Sequence, residues 1–427
     1  MLIYSDTVST RLQYISKFLI QEQLGVTVTL TTNLDGFLQH EGPRLNYSHE
    51  AMDGVIFNLR PHTLLFENDI RQQAITCFIS NNKKAFFGAT NGDFPFDIFA
   101  ASFYLLTRYE EWLPHTTDIY GRYAHENSLA FREGFLNIPL VNYWLKDLRH
   151  ALVAKFPALK IIAPLFQYTA TYDIDIAWSY RSKGLLRNIG GFFSAPSLDR
   201  IFVLTRLKKD PYDCYEFLRN LHHQHHLDPI YFFHVGTTRN RYDKNISPYN
   251  HSMWQLVKRH AKNYRIGLHP SWKSNEKIEL LSKEKKILET AGELTVERNR
   301  QHYIKFSFPE TFRRLLKSGI KDDYSMGYGS INGFRASVTS SFYWYDLSSE
   351  SVTPLRLHPF CFMDANSHYE QKQNASASFN ELAHYVAACR EINGHLITIF
   401  HNHFLGSAKT FEGWREGYAK FISQLQR

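Results

Sequence analysis

Five short segments carry the residues from which a reaction could be built. Thr171-Tyr172-Asp173-Ile174-Asp175 closes a run of strand-forming residues. Residues two apart in an extended segment point the same way, so Asp173 and Asp175 share a face. Two adjacent carboxylates repel unless a cation lies between them or one takes a proton. An isolated Asp-x-Asp is more readily a turn or a helix cap. The second segment is Ile266-Gly267-Leu268-His269-Pro270-Ser271-Trp272, again apolar and then polar. The third, Arg298-Asn299-Arg300-Gln301-His302-Tyr303, offers a guanidinium and an imidazole. The fourth is Tyr324-Ser325-Met326-Gly327-Tyr328, followed by Gly333-Phe334-Arg335-Ala336. The last, Ile397-Thr398-Ile399-Phe400-His401-Asn402-His403, ends an apolar run in two histidines. A lone histidine in such a place is more often a hydrogen-bonded structural residue than a ligand. Together the segments supply mixed nitrogen and oxygen ligands, a base and an acid, the requirements of metal-assisted hydrolysis.

These segments need elements to position them. After Tyr168 strand and helix patterns alternate. Thr169–Tyr172, Pro229–Val235, Arg265–Leu268, Leu355–Phe362 and His395–Phe400 read as strands. Tyr212–His222, His251–Asn263, Glu276–Ala291, Pro309–Lys317, Ser378–Ile392 and Phe411–Leu425 read as helices. Such alternation predicts a parallel sheet wrapped by helices, here a barrel, with its chemistry at the C-terminal strand ends. Ahead of it lies a small α/β unit. Leu2–Tyr4, Val26–Leu30, Gly54–Arg60 and Thr63–Glu67 are its expected strands. A helical, aromatic stretch follows from Phe94 to Phe156, with Asp97 placed to cap its first helix and Leu140–Leu152 as a second. A change of pattern near Pro157–Pro164 divides the chain into residues 1–160 and 165–427.

The chain has 427 residues, enough for two or three domains, and 44% are hydrophobic, so a sizeable core can be buried. Lys and Arg outnumber Asp and Glu by 49 to 41, and no run of five or six like charges occurs, which argues against a nucleic-acid arm. Cys77, Cys214, Cys361 and Cys389 form no CxxC pair and read as buried thiols of a reducing compartment. No secretory signal and no 18-residue apolar stretch is present, so a cytoplasmic protein is expected. The oligomeric state is not legible. His222, His223, His225 and His226 look like a metal tract, but they close a helix, where cations are favourable. Arg108, Glu110, Glu111, Arg122, His125 and Glu126 read as an ion-paired interface between the two regions. His358 sits at an apolar strand end, where it could line a pocket.

The order of motifs resembles the polysaccharide deacetylase family, which includes chitin and peptidoglycan deacetylases. TYDID (171–175), YFFHVG (231–236), LHPSW (268–272), RQH (300–302), GFRAS (333–337) and FHNH (400–403) are similar to its successive motifs. The resemblance spans roughly Tyr168–Arg427. RYEEW (108–112), YGRYAHENS (120–128) and RQHYIKF (300–306) look like a divergent bacterial branch with an extra N-terminal region. The resemblance implies a distorted (β/α) barrel of about seven strands and a divalent metal, often zinc. By position it implies Asp173 as general base, Asp175 and His269 as metal ligands, Arg300 as the group that holds Asp173 ionised, and His401 as general acid. Trp272, Tyr328, Arg335 and His403 are the candidates for substrate contact. The family's second histidine, four residues after the first, is here Lys273. A protonated lysine cannot ligate. The third ligand must therefore come from elsewhere, with His302 ranked before His234, or the metal is held weakly or not at all.

The expected activity is removal of N-acetyl or O-acetyl groups from a saccharide, and a cytoplasmic location favours a precursor or lipid-linked saccharide. A catalytically inactive glycan-binding module of the same fold is the alternative that Lys273 favours, because a fold guarantees no activity. Hydrolysis of another small amide is a third reading.

Overall fold

The computed structural model describes residues 1–162, 164–184, 188 and 198–425. Two compact units emerge. The first comprises Met1–Gln167, Gly333–Pro359 and Ala387–His395, and the second Tyr168–Asn332, Phe360–Val386 and Leu396–Arg427. The first unit thus takes two segments from beyond residue 165.

In the first unit Thr29–Thr31, Leu2–Tyr4, Arg44–Asn46 and Phe57–Asn58 lie in that order as a parallel sheet. Helix Thr10–Ser16 buries Leu12 and Ile15, and Ser9 caps it by accepting from the Leu12 N–H. The expected strand Thr63–Glu67 is instead a 3-10 turn, Thr63–Phe66. The His62 side chain accepts from the Leu64 N–H, and this local cap wins over a pairing that four residues cannot secure. Asp97 caps helix Ile98–Leu106 as expected, accepting from the Phe99 and Ala100 N–H groups. Arg108, Glu110, Glu111 and Arg335 form a buried ion-pair cluster internal to this unit. An antiparallel hairpin, Phe342–Asp346 with Ser351–Leu357, also belongs here.

The second unit is built on a row of strands in the order Asp322–Asp323, Arg298–Asn299, Arg265–His269, Ile230–His234, Gln167–Ile174, His395–His401 and Phe362–Met363. The pairings of 298–299 with its two neighbours, of 230–234 with its two neighbours and of 362–363 with 395–401 are parallel. Helices Tyr215–Gln224, His251–Asn263, Ile278–Gly292, Glu310–Lys317, Ala375–Glu391 and Trp414–Leu425 alternate with these strands. The arrangement is mixed α/β. Among the described residues no pairing joins Phe362–Met363 to Asp322–Asp323, so the expected closed barrel is not formed. The single strand expected over Leu355–Phe362 is divided, with Ser351–Leu357 in one unit and Phe362–Met363 in the other. Pro359 has no N–H to give a ladder and restricts His358, so the chain breaks there.

The register matters for the site. His234 is the pairing partner of His269, Ile174 of Phe233, and Asn299 of Leu268. The C-terminal ends therefore come level, and polar residues just past them face a common space. Gly267 is required within this row. A Cβ there would meet the Phe232 ring at 2.5 Å. That ring in turn lies under the Arg300 guanidinium, 4.3 Å from its centroid. No described helix is long and apolar enough to cross a membrane.

Candidate metal centre and its carboxylates

Asp173 and Asp175 leave the end of strand Gln167–Ile174. Arg300 Nη1 donates to Asp173 Oδ1 across 2.7 Å, and Arg300 Nε donates to the Tyr324 carbonyl across 3.0 Å. Both residues are buried. The second Asp173 oxygen faces His269 Nε2 at 3.8 Å, and Asp175 Oδ1 lies 3.1 Å from the same nitrogen.

Three imidazoles share one arrangement. His269 Nδ1 is 2.6 Å from the Arg300 carbonyl, His302 Nδ1 is 3.1 Å from Asp243 Oδ1, and His401 Nδ1 is 2.6 Å from Asp364 Oδ1. A carbonyl or carboxylate can only accept, so each Nδ1 carries the proton. Each ring then turns Nε2 to Asp175: His269 at 3.1 Å, His302 at 3.5 Å and His401 at 3.5 Å. In the neutral rings Nε2 is a lone pair, and it faces carboxylate lone pairs. Such contacts are repulsive without a proton or a metal ion between them.

The charge balance says the same. Asp173, Asp175, Asp243 and Asp364 bring four carboxylates, and Arg300 one fixed cation. Burial alone would lower His302, but Asp175 and Asp243 override it and raise its pKa to about 9. Burial likewise works against His401, and Asp364 with Asp175 lifts it to about 10. Burial would raise Asp175, yet His302, His269 and His401 hold it well below the usual carboxylate range. The cluster favours positive charge, which protons on the imidazoles or a divalent ion can supply.

Asp175, His269 and His302 offer ligand atoms that all lie within 4.8 Å of one another. Asp175 Oδ1 is buried and has no hydrogen-bond partner among the described residues, with His269 Nε2 3.1 Å away. This donor set of two imidazoles and a carboxylate suits a zinc-like ion with an open position. His234, Asp243 and His302 form a second such group. His234 Nδ1 is 3.2 Å from the His269 carbonyl, and burial pushes His234 down to about 3.

Other expected residues fall as follows. Lys273 is exposed. Trp272 is half-buried, stacks on Tyr242 at 3.9 Å, and gives its backbone N–H to Asp243 Oδ1 across 3.0 Å. Tyr328 is buried, and its carbonyl accepts from Asn366 Nδ2. His403, a candidate for substrate contact, is buried against Phe404 and Phe411. Burial pushes it down to about 3. Arg335 belongs to the first unit, in a bidentate pair with Glu111 at 2.8 and 2.5 Å. His358 there meets Ser341 Oγ at 2.8 Å. Among the histidine tract, His222 Nε2 bonds the Tyr172 hydroxyl, inside the fold. Asp243 and Asp364 were not singled out from sequence. Asp364 had a signal, because Cys361-Phe362-Met363-Asp364 is another apolar run ending in a carboxylate. Asp243 had none, since it lies in a polar loop.

A model of DUF7033, a family of unknown function, matches residues 1–157. Comparison with curated proteins finds no match. Among solved structures, a provisionally assigned polysaccharide deacetylase from Mycobacterium smegmatis is similar at 12% identity, with a TM-score of 0.40. That match covers 62% of this chain and 87% of the other. The polysaccharide deacetylase Bc1974 from Bacillus cereus is 11% identical over 61% of this chain and 88% of its own, with a TM-score of 0.32. A CE4 family pseudoenzyme from Bacillus anthracis is 10% identical over 61% of each chain, with a TM-score of 0.30.

Proposed function

We propose that this protein is a divalent-metal-dependent hydrolase that removes acetyl groups from an N-acetylated saccharide. One observation carries the reading. Asp175 faces Nε2 of His269 and His302, while Asp173 stands beside it, held by Arg300. The order of the motifs, which resembles that of polysaccharide deacetylases, supplies the substrate class.

Asp175, His269 and His302 would hold the ion, with zinc expected from the donor set. When bound, it would polarise an acyl carbonyl and lower the pKa of water. Asp173 then serves as general base and takes the proton of the attacking water. Arg300 Nη1 donates to Asp173 Oδ1 at 2.7 Å and so aims that carboxylate. His401 donates a proton from Nε2 to the departing amine. Asp364 accepts from His401 Nδ1 and from its backbone N–H, at 2.6 and 2.7 Å, and so fixes the ring. Acetate and a free amino sugar are the products.

The test is acetate release from a panel of N-acetylated and O-acetylated saccharides, including lipid-linked precursors, after reconstitution with zinc. Release that is lost in Asp173→Asn supports the reading. A metal-loaded protein that binds a saccharide but releases no acetate from any of them would identify a glycan-binding module instead.

A further inference from the structure

His302 can take the place of the histidine that Lys273 displaces only if its ring is held with Nε2 towards Asp175. We propose that Asp243 holds it there, as a positioning residue that makes His302 a metal ligand. This rests on the metal-site reading above and adds the device by which an altered motif keeps a third ligand.

The carboxylate is itself immobilised. Asp243 is buried at 1% exposure. Its Oδ1 accepts from His302 Nδ1 at 3.1 Å and from the Trp272 N–H at 3.0 Å, and its Oδ2 accepts from Asn240 Nδ2 at 2.6 Å. Asn240 Oδ1 accepts in turn from the N–H groups of Tyr242 and Asp243, which shapes the turn. At the other end Asn245 ties the loop to two strand ends. Its Nδ2 donates to the Ile174 and His234 carbonyls, and its Oδ1 accepts from the Ala177 N–H. A loop latched to the end of the strand that precedes Asp175 therefore aims a carboxylate at the ring of His302.

Trp272 gives the arrangement its meaning. It immediately precedes Lys273, the position that would carry a ligand in the resembling family. Here that segment contributes a backbone donor to Asp243 while the lysine side chain faces outward. The histidine is supplied by the Arg300 segment and the orientation by loop 240–245. Protonation of Nδ1 against a carboxylate leaves Nε2 as the ligand atom and raises its basicity. Loss of such an outer partner weakens metal binding by about 10- to 100-fold.

Zinc affinity of the full chain, measured by competition with a chromophoric chelator, tests the proposal. Asp243→Asn is expected to bind zinc about 10- to 100-fold more weakly than wild type. Lys273→Ala changes an exposed side chain outside the cluster and is expected to bind zinc as wild type does. Asp243→Glu is expected to recover part of the loss. Wild-type protein provides a check that needs no substitution. Long-range ¹H–¹⁵N spectra of the zinc-loaded chain should show His302 protonated at Nδ1 and coordinated through Nε2. Equal affinity of wild type and Asp243→Asn, or coordination of His302 through Nδ1, would overturn the proposal. So would two zinc equivalents in wild type with one lost in His234→Ala, because Asp243 would then be a ligand. A wild-type chain that binds no zinc would sink the metal reading itself, a different result from equal binding by both.

Discussion

Arg300 Nη1 and Asp173 Oδ1 are 2.7 Å apart, and neither side chain is more than 2% exposed. A buried guanidinium must be paired, and removing one member of the pair strands the other. Arg300→Met is therefore expected to lower acetate release by roughly 100-fold, the lower end of what a mispositioned general base costs. Arg300→Lys should recover only part, because an ammonium cannot reach Asp173 and the Tyr324 carbonyl in one planar fork. Steady-state kinetics on the zinc-loaded variants checks both. Full activity in Arg300→Met would remove Arg300 from the proposed machinery.

The ligand assignment is tested by contrast. Asp175→Ala, His269→Ala and His302→Ala should each leave the purified protein with little or no zinc by elemental analysis. Lys273→Ala should retain a full equivalent, because that side chain is exposed. Equal zinc in all five proteins, wild type included, would show that the ion lies elsewhere.

Much of this site is legible in the sequence because a strand end is a local event. An apolar run that stops at Asp173, His269 or His401 declares both its direction and the residue beyond it. Asp243 is hidden because its placement depends on Asn240 and Asn245, whose hydrogen bonds a periodic pattern does not record. The fold divides in the same way. Most helices and strands appear within a few residues of their expected limits. That Gly333–Pro359 belongs with the N-terminal residues is not readable, because it rests on non-local pairs such as Glu111 with Arg335 and Arg11 with Glu350. The closed barrel was an inference from alternation, and alternation does not specify whether the two outer strands meet.

Glu284 predicts a pH effect on stability. It is fully buried in helix Ile278–Gly292, and its Oε2 accepts from the Ser271 N–H at 2.8 Å while Oε1 has no partner. Burial pushes its carboxyl up to about 7, although bonds from Ser271 and Ser274 work against the rise. The folded pKa lies above the unfolded one, so the folded state binds the extra proton. The contribution is present below the unfolded pKa and is lost as pH rises through 7. The slope in that window approaches about 1.4 kcal/mol per pH unit. Glu284→Gln keeps a neutral side chain at every pH. Its thermal midpoint should gain on wild type between pH 5 and pH 8 in chelator-treated protein. Parallel curves for the two proteins would contradict this.

His401 and His403 can be told apart by the leaving group. His401 ends its strand with Nε2 3.5 Å from Asp175 Oδ2 and with Nδ1 fixed by Asp364. Burial opposes its charge, but the two carboxylates keep it protonated near neutrality, with a pKa of about 10. With Nδ1 held by Asp364, Nε2 is the ring atom left to hand a proton to an amine. His403 is two residues on, buried among aromatic rings, and burial keeps it neutral with a pKa of about 3. It has no proton to spare at neutral pH. An amine leaves an amide poorly without protonation, whereas an acidic phenol leaves an aryl acetate with little help. His401→Ala should therefore slow amide cleavage by about 100-fold or more and aryl acetate cleavage far less. His403→Ala should alter the two substrates to a similar degree, through packing. Equal loss on both substrates in His401→Ala would mark it as a binding or ligand residue. A selective loss confined to His403→Ala would exchange the two assignments.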